Sequence, residues 1–129
     1  MIVLDASAVV ELLRNDRFAE SLRSELANGA GALIVPHLLD VEVASALRRL
    51  AAVAQIDSIH AERLLTQLAE IPAERFPHTP LLRRVWELRH NFTAYDAIYI
   101  ALAERTGSVL YTTDARLRRG HRAQVRVLS

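Results

Sequence analysis

The sequence contains no cysteine and no long apolar run. Without cysteine, disulfide bonds and thiolate metal sites are excluded, and a reducing compartment is compatible with the chain. No apolar segment approaches the roughly 20 residues that span a bilayer. Asp5 and Glu11 interrupt the amino-terminal segment before the apolar region of a secretory signal could develop. These absences predict a soluble, cytoplasmic protein without a membrane partner.

Lysine is also absent, so all 16 basic residues are arginine. The formal net charge of +1 is too small to indicate nucleic-acid binding from the total. The distribution is uneven, because five arginines and no acidic residue follow Asp114. The planar guanidinium group suits phosphate, but an arginine-only, alanine-rich composition is equally the product of a GC-rich genome. Both explanations of the arginines remain open.

The 129 residues, 51% of them hydrophobic, are predicted to form one globular domain over residues 1–129. Apolar strand-like segments alternate with helical patterns, which is typical of an α/β domain with a mostly parallel sheet. The predicted strands are 1–4, 32–35, 71–76 at an edge, 108–112 and 124–128. The predicted helices are 8–13, 17–28, 38–53, one beginning after Asp57 or Ser58, 79–90, one beginning at Thr93, and 114–119.

Capping residues predict where several of these helices begin and end. Ser7 is expected to be the N-cap of the first helix, and Thr93 to Asp96 have the capping-box pattern. The second helix is expected to end at Gly29-Ala30-Gly31, and the helix that begins at Thr93 is expected to end at Gly107. In the helix after Asp57, helical spacing predicts four buried positions, which are Ile59, Leu64, Leu65 and Leu68.

Four carboxylates stand out by their positions. Asp5 and Asp114 each follow a predicted strand, Asp96 lies in the first turn of a helix, and Glu42 borders an apolar helix face. Each has a simpler explanation: Asp5 and Asp114 as helix caps, Asp96 as part of a capping box that complements the helix dipole, and Glu42 as a side chain reaching solvent. Acids at strand ends in a parallel sheet nevertheless tend to meet in one cleft.

Several carboxylates in one cleft repel one another unless a cation is bound. Oxygen-only ligands suit Mg²⁺ or Mn²⁺, and such ions could activate water for phosphodiester hydrolysis. The five histidines are scattered without metal-ligand spacing, and the P-loop and dinucleotide-binding fingerprints are absent.

Four segments resemble the signature blocks of PIN-domain ribonucleases. They are Val3–Ala8, Leu39–Val43, Thr93–Ala97 and Tyr111–Asp114. More narrowly, the chain resembles the VapC toxins of bacterial type II toxin–antitoxin systems, in order and over essentially its whole length. A single block is weak support, whereas four in the same order are strong.

The resemblance implies a five-stranded parallel sheet between helices, with the first and fourth strands adjacent at its centre. The family's four acidic positions correspond to Asp5, Glu42, Asp96 and Asp114, which are expected to be the metal ligands and catalytic acids. Ser7 and Thr112 match the family's hydroxyl positions, where they would support a carboxylate or a water.

The resemblance further implies an endoribonuclease that depends on Mg²⁺ or Mn²⁺, cleaves RNA and arrests translation. Family members are commonly homodimers, are neutralised by a VapB-type antitoxin, and meet DNA only through that antitoxin. The antitoxin tail packs in a groove near the active site. An apolar strip on the early helices is a candidate for part of that groove, although most of it also suits the core: Val9, Leu12, Leu13, Phe18, Leu39 and Val43.

Four arginines that closely follow Asp114 are our hypothesis for RNA-backbone contacts, namely Arg116, Arg118, Arg119 and Arg122. Two alternatives to the toxin interpretation remain open. One is a housekeeping PIN-domain nuclease for RNA processing without an antitoxin, and the other is a non-catalytic interaction module with the same fold.

Overall fold

The computed structural model of the protein describes residues 1–28 and 31–128. The predicted end of the second helix at Gly29 and Ala30 therefore lies outside the described residues. The strands are β1 (Ile2–Leu4), β2 (Leu33–Pro36), β3 (Ala73–Phe76), β4 (Val109–Thr112) and β5 (Gln124–Val127). The helices are α1 (Ala6–Arg14), α2 (Ala19–Asn28), α3 (Leu38–Ala52), α4 (Ser58–Glu70), α5 (Leu82–Glu87) and α6 (Ala94–Thr106), with 3₁₀ helices at Thr79–Leu81 and Ala115–Arg118.

The five strands form one parallel sheet in the order β3-β2-β1-β4-β5. In the central pair, Ile2 lies opposite Val109 and Leu4 opposite Tyr111. The amide of Asp5 extends this pairing by donating to the carbonyl of Tyr111 at 3.1 Å. The parallel sheet and the adjacency of the first and fourth strands confirm the fold-class prediction. The carboxyl ends of β1 and β4 consequently lie side by side.

Helix α6 is the most deeply buried helix of the described chain. Its residues 97–103 are all buried, at 4% exposure or less. A helix that is apolar on every side is surrounded by other elements rather than packed on one face. Its ends are defined as predicted: the Thr93 hydroxyl accepts from the amide of Asp96 at 3.2 Å, and Gly107 ends the helix in the left-handed conformation. Asp96 is therefore held on a rigid element.

Two local predictions were wrong. Helix α1 begins at Ala6, so its N-cap is Asp5 and not Ser7, which lies inside the first turn. An aspartate at the end of an extended strand can turn back at once to accept from the amide of Ala8, so the helix starts earlier. In α4, Ile59 and Leu65 are 66% and 36% exposed. This outer helix buries only a narrow stripe, which consists of Ala61, Leu64 and Leu68.

The predicted helices at 79–90 and 114–119 are shorter than expected. The first divides into a 3₁₀ turn and α5, and the second is a 3₁₀ helix only. Among residues 1–28 and 31–128, no helix has the length and hydropathy needed to cross a membrane.

Candidate active site

Asp5 occupies the centre of the site, at the carboxyl end of β1. Its Oδ1 accepts from the Ser7 hydroxyl at 2.6 Å and from the amide of Ala8 at 3.0 Å. The residue is only 7% exposed. Burial raises the pKa of the Asp5 carboxyl, and the hydrogen bonds from Ser7, Thr112 and Ala8 oppose this effect. Asp5 is thus both the helix cap and a buried acid, so the two explanations of this residue do not exclude each other.

The hydroxyls of Ser7 and Thr112 connect the ends of β1 and β4. The Ser7 Oγ accepts from the amide of Thr113 at 3.0 Å and lies 3.5 Å from the Thr112 Oγ1. The Thr112 Oγ1 also accepts from the amide of Asp114 at 3.0 Å. These bonds bring the two strand-end acids into one hydrogen-bonded network, which is the arrangement that the predicted role of both hydroxyls requires.

Glu42 extends from α3 towards the same region. Its Oε1 accepts from the hydroxyl of Tyr99 at 2.6 Å. Burial raises the pKa of Glu42, and the negative charges of Asp96 and Asp5 raise it further. Sequence reasoning missed Tyr99. The available signal was its position three residues after Asp96, which places both side chains on the same side of α6.

Tyr99 is 2% exposed, and burial together with its bond to Glu42 raises the pKa of the phenol. The hydroxyl therefore stays protonated and donates to Glu42 throughout the working pH range.

Asp96 lies in the first turn of α6, near Asp114, which is the acid at the end of β4. Burial raises the pKa of Asp96, and the nearby negative charge of Asp114 adds to this effect. The capping-box explanation of Asp96 is also correct in part, because its amide donates to Thr93. A side-chain hydrogen bond with Thr93 also lowers the pKa of Asp96, which opposes the effect of burial.

Asp114 differs from the other three acids because it has an internal counter-ion. The Arg116 guanidinium donates from Nε and Nη2 to the Asp114 Oδ2 at 3.0 and 2.6 Å. The amide of Arg116 also donates to the Oδ1 at 2.9 Å, so Asp114 caps the 3₁₀ helix that follows. The bonds from Arg116 lower the pKa of Asp114. Arg116, which was expected to contact RNA, is instead paired with a predicted metal ligand.

The four acids interact electrostatically but do not form a closed cage. Within the described part of the chain, no group of three or more Asp, Glu or His side chains lies close enough to hold a metal ion. The donor chemistry still suits a hard divalent cation, since every acid offers oxygen and three of them have a raised pKa. Removing such mutual repulsion is what a bound cation does.

Of the other three predicted RNA-binding arginines, Arg118 and Arg119 lie in or next to the same 3₁₀ helix as Arg116, and only Arg122 is bonded elsewhere. Arg118 and Arg119 are exposed. The amide of Arg122 donates to the Oε2 of Glu104 at 2.7 Å, and the Arg122 Nη2 lies 3.7 Å from the Glu104 Oε1. Glu104 is near the carboxyl end of α6, so Arg122 lies at the opposite end of that helix from Asp96.

A groove of about 510 Å³ runs between α1 and α3 and reaches the acids at Glu42. The apolar strip expected to form part of such a groove does not line it. Val9, Leu39 and Val43 are core residues, at 2% exposure or less. The groove is lined instead by Ala6, Ser7, Val10, Glu11, Arg14, Asp16, Glu42, Ala46, Arg49, Leu50, Val53 and Thr113.

Comparison with known proteins agrees with this architecture. The PIN domain profile matches residues 2–122, and the chain therefore belongs to the PIN-domain family. Within that family it is similar to the VapC ribonucleases. VapC ribonuclease Mb0985 of Mycobacterium bovis is 44% identical over 117 residues, which cover 91% of this chain and 88% of the relative. Ribonuclease VapC1 of Mycobacterium tuberculosis is 42% identical over 121 residues, covering 89% and 86%.

Solved structures show the same fold. PAE2754 from Pyrobaculum aerophilum has a TM-score of 0.70 at 27% identity and covers 96% of this chain and 81% of its own. DNA-bound VapBC from Salmonella typhimurium has a TM-score of 0.74 over the whole of both chains. Its identity of 15% supports similarity of fold alone.

Proposed function

We propose that this protein is an endoribonuclease of the VapC type, the toxin of a type II toxin–antitoxin pair that inhibits translation by cleaving RNA. One observation carries the proposal: the buried carboxylate of Asp5 and the half-buried carboxylates of Glu42 and Asp96 repel one another beside the end of β4. A fold gains nothing in stability from such an arrangement. The names of the relatives, VapC ribonuclease and ribonuclease VapC1, point to the same activity.

We assign the metal site to Asp5, Asp96 and Asp114, with Glu42 as a fourth ligand or as the residue that orients a water. Mg²⁺ or Mn²⁺, when bound, supplies positive charge at the scissile phosphate and lowers the pKa of water. Ser7 and Ala8 hold the Asp5 carboxylate in one orientation. Tyr99 does the same for Glu42, so the carboxylates are positioned before substrate arrives.

We assign the groove between α1 and α3 to the tail of a VapB-type antitoxin. The groove connects directly with the acids through Ser7 and Glu42, and a chain lying in it would obstruct RNA. Arg14, Arg49, Glu11 and Asp16 give it charges of both signs, which suits a tail of mixed charge. A homodimer and an indirect contact with DNA through the antitoxin belong to the same proposal.

The Asp5→Asn variant tests the function. The hydrogen bonds from Ser7 and Ala8 both go to Oδ1, which an amide oxygen can replace, so the variant should fold and melt no lower than the parent. Induction of the parent should arrest growth and create new RNA 5′ ends, whereas the variant should do neither. Growth arrest and cleavage by Asp5→Asn at the parent's rate would contradict the proposed chemistry.

A further inference from the structure

A second pocket, separate from the four acids, lies between α5, the second half of α6 and the turn at Arg122. Its volume is about 560 Å³. We call it the arginine pocket, because four of its nine lining residues are arginines. The lining consists of Pro80, Leu81, Arg83, Arg84, Glu87, Ala101, Glu104, Arg105 and Arg122.

The buried acid of this pocket is already neutralised. The Arg84 Nε and Nη2 donate to the two carboxylate oxygens of Glu104 at 2.6 and 3.0 Å. The amide of Arg122 donates to the same carboxylate at 2.7 Å, and the Glu104 side chain is only 8% exposed. Although burial favours the neutral form, these donors lower the pKa of Glu104. Arg84 and Glu104 therefore form a structural ion pair, and the charge of Arg84 is already neutralised by Glu104.

Arg83 and Arg105 keep their charges available, whereas the Arg122 Nη2 lies 3.7 Å from the Glu104 Oε1. Arg83, Arg105 and Arg122 are all exposed. Among residues 1–28 and 31–128, no carboxylate lies within 4 Å of Arg83 or Arg105. The Arg105 guanidinium lies 5.7 Å from the ring centroid of Phe76, which limits the positions of this side chain. The pocket thus presents more positive than negative charge around an open space.

We propose that the arginine pocket binds a backbone phosphate of the RNA substrate at a distance from the cleaved bond. This inference rests on the proposed ribonuclease function. Eight residues of α6 separate Asp96 from Glu104, which is about 12 Å at 1.5 Å per residue. Phosphates of one strand of double-stranded DNA are about 3.4 Å apart along the axis, so about 12 Å corresponds to about four nucleotides at that spacing.

The chemistry of the pocket favours phosphate over bases and over an apolar protein segment. A guanidinium fork matches two phosphate oxygens. The lining contains no amide or hydroxyl side chain, so it lacks the groups that read adenine, and its guanidinium groups bind a backbone phosphate whatever base is attached to it. Its apolar residues are Pro80, Leu81 and Ala101, which offer little surface to an apolar side chain. The contact should therefore increase affinity without adding sequence preference.

The test measures RNA binding in the cleavage-silent Asp5→Asn background. The probe is a fluorescein-labelled, mixed-sequence RNA of twelve nucleotides, followed by fluorescence anisotropy at several NaCl concentrations. Adding Arg83→Gln and Arg105→Gln should weaken binding about tenfold at low salt and reduce the slope of log Kd against log salt by about 1.4, or 0.7 per lost contact. Arg84 is left intact because its loss would expose Glu104 unpaired.

Arg48→Gln with Arg63→Gln is the matched control, since both arginines are exposed on α3 and α4 outside the pocket. This pair should change affinity less than twofold. Equal losses from the two pairs would overturn the proposal in favour of general charge attraction. A dinucleotide is too short to reach the pocket, so the pocket pair should leave dinucleotide binding unchanged, and a parallel loss would overturn the assigned location.

Two further outcomes distinguish a failure of the proposed phosphate site from a failure of the proposed ribonuclease function. Failure of the Asp5→Asn protein itself to bind the RNA would overturn the ribonuclease function and the pocket together. If the variant with Arg83→Gln and Arg105→Gln retains RNA affinity but loses affinity for the antitoxin, the pocket binds protein and the RNA assignment is wrong.

Discussion

Asp114 and Arg116 show most directly how a neighbour in the sequence adds a contact that a predicted role does not include. A run of arginines after an active-site acid predicts phosphate binding, but Arg116 follows Asp114 so closely that its guanidinium folds back onto the carboxylate. The side chain is 83% exposed, so the pair is not locked and a cation can compete for Asp114. Arg116 is bonded to a carboxylate that the proposed function assigns to metal.

We expect Arg116→Gln to bind Mn²⁺ more tightly than the parent, by about threefold to tenfold at low salt. The physical reason is that the ion no longer displaces a guanidinium before reaching Asp114. The measurement is the electron paramagnetic resonance signal of free Mn²⁺ during titration, which does not depend on activity.

Arg118→Gln is the control for this titration, because Arg118 is exposed in the same short helix without a bond to Asp114 in the structure. The difference between the two variants should shrink at high salt, since exposed charges are screened. Equal Mn²⁺ affinity of Arg116→Gln, Arg118→Gln and the parent would show that the ion pair does not compete with metal.

At the scale of elements, helix α6 determines the position of two site residues. Its centre is buried on every side, while its first turn carries Asp96 and its second carries Tyr99, the donor to Glu42. Sequence reasoning predicted both ends of this helix because Thr93 and Gly107 are local signals. Tyr99 could not be assigned to Glu42 in the same way, since the two residues are 57 positions apart and only packing of α6 near α3 brings them together.

Replacing Thr93 with alanine should lower the free energy of unfolding by about 1 kcal/mol, within the range of about 0.5–2 kcal/mol measured for such caps. The lost group is the hydroxyl that accepts from the amide of Asp96 at 3.2 Å. Urea denaturation followed by circular dichroism measures the change.

Thr66→Ala is a matched control for the cap, because the Thr66 hydroxyl donates to the carbonyl of Glu62 within exposed α4 and caps nothing. Alanine is the better helix former there, so this variant should be neutral or slightly more stable. A loss from Thr66→Ala as large as the loss from Thr93→Ala would mean that the cap does not account for the effect.

At the scale of the whole molecule, the site acids make the stability of the fold depend on pH. The pKa values of Asp5, Glu42 and Asp96 are raised in the folded state. The stability that these three acids contribute is therefore fully present below their unfolded-state pKa values, and it is lost as the pH rises through their folded-state pKa values. Asp114 and Glu104 have a lowered pKa, so their contribution is present above the unfolded pKa and is lost on acidification. At neutral pH, the first group weakens the metal-free fold.

We therefore expect Mn²⁺ to raise the melting temperature at pH 7.5, and to raise it much less at pH 5. Protons and metal compete for the same carboxylates. An ion at ten times its Kd adds about 1.4 kcal/mol to the free energy of unfolding. The measurement is thermal melting with Mn²⁺ and with EDTA at both values of pH.

Asp5→Asn should show little of this metal-dependent gain, because it lacks the central proposed ligand. Equal gains at pH 5 and pH 7.5 in the parent would contradict binding to ionised carboxylates, as would an undiminished gain in Asp5→Asn.

By itself, the sequence determined the alternation of strands and helices, the capped ends of α4 and α6, and the four acidic positions. These features depend on periodicity and on residues within a few positions of one another, and the resemblance to PIN-domain ribonucleases added the order of the central strands. Only the tertiary structure decided which residues of α4 are buried, that Arg116 neutralises Asp114, and that Arg122 lies beside Glu104. Those outcomes depend on contacts between distant segments and on competition among several possible partners, which no local pattern encodes.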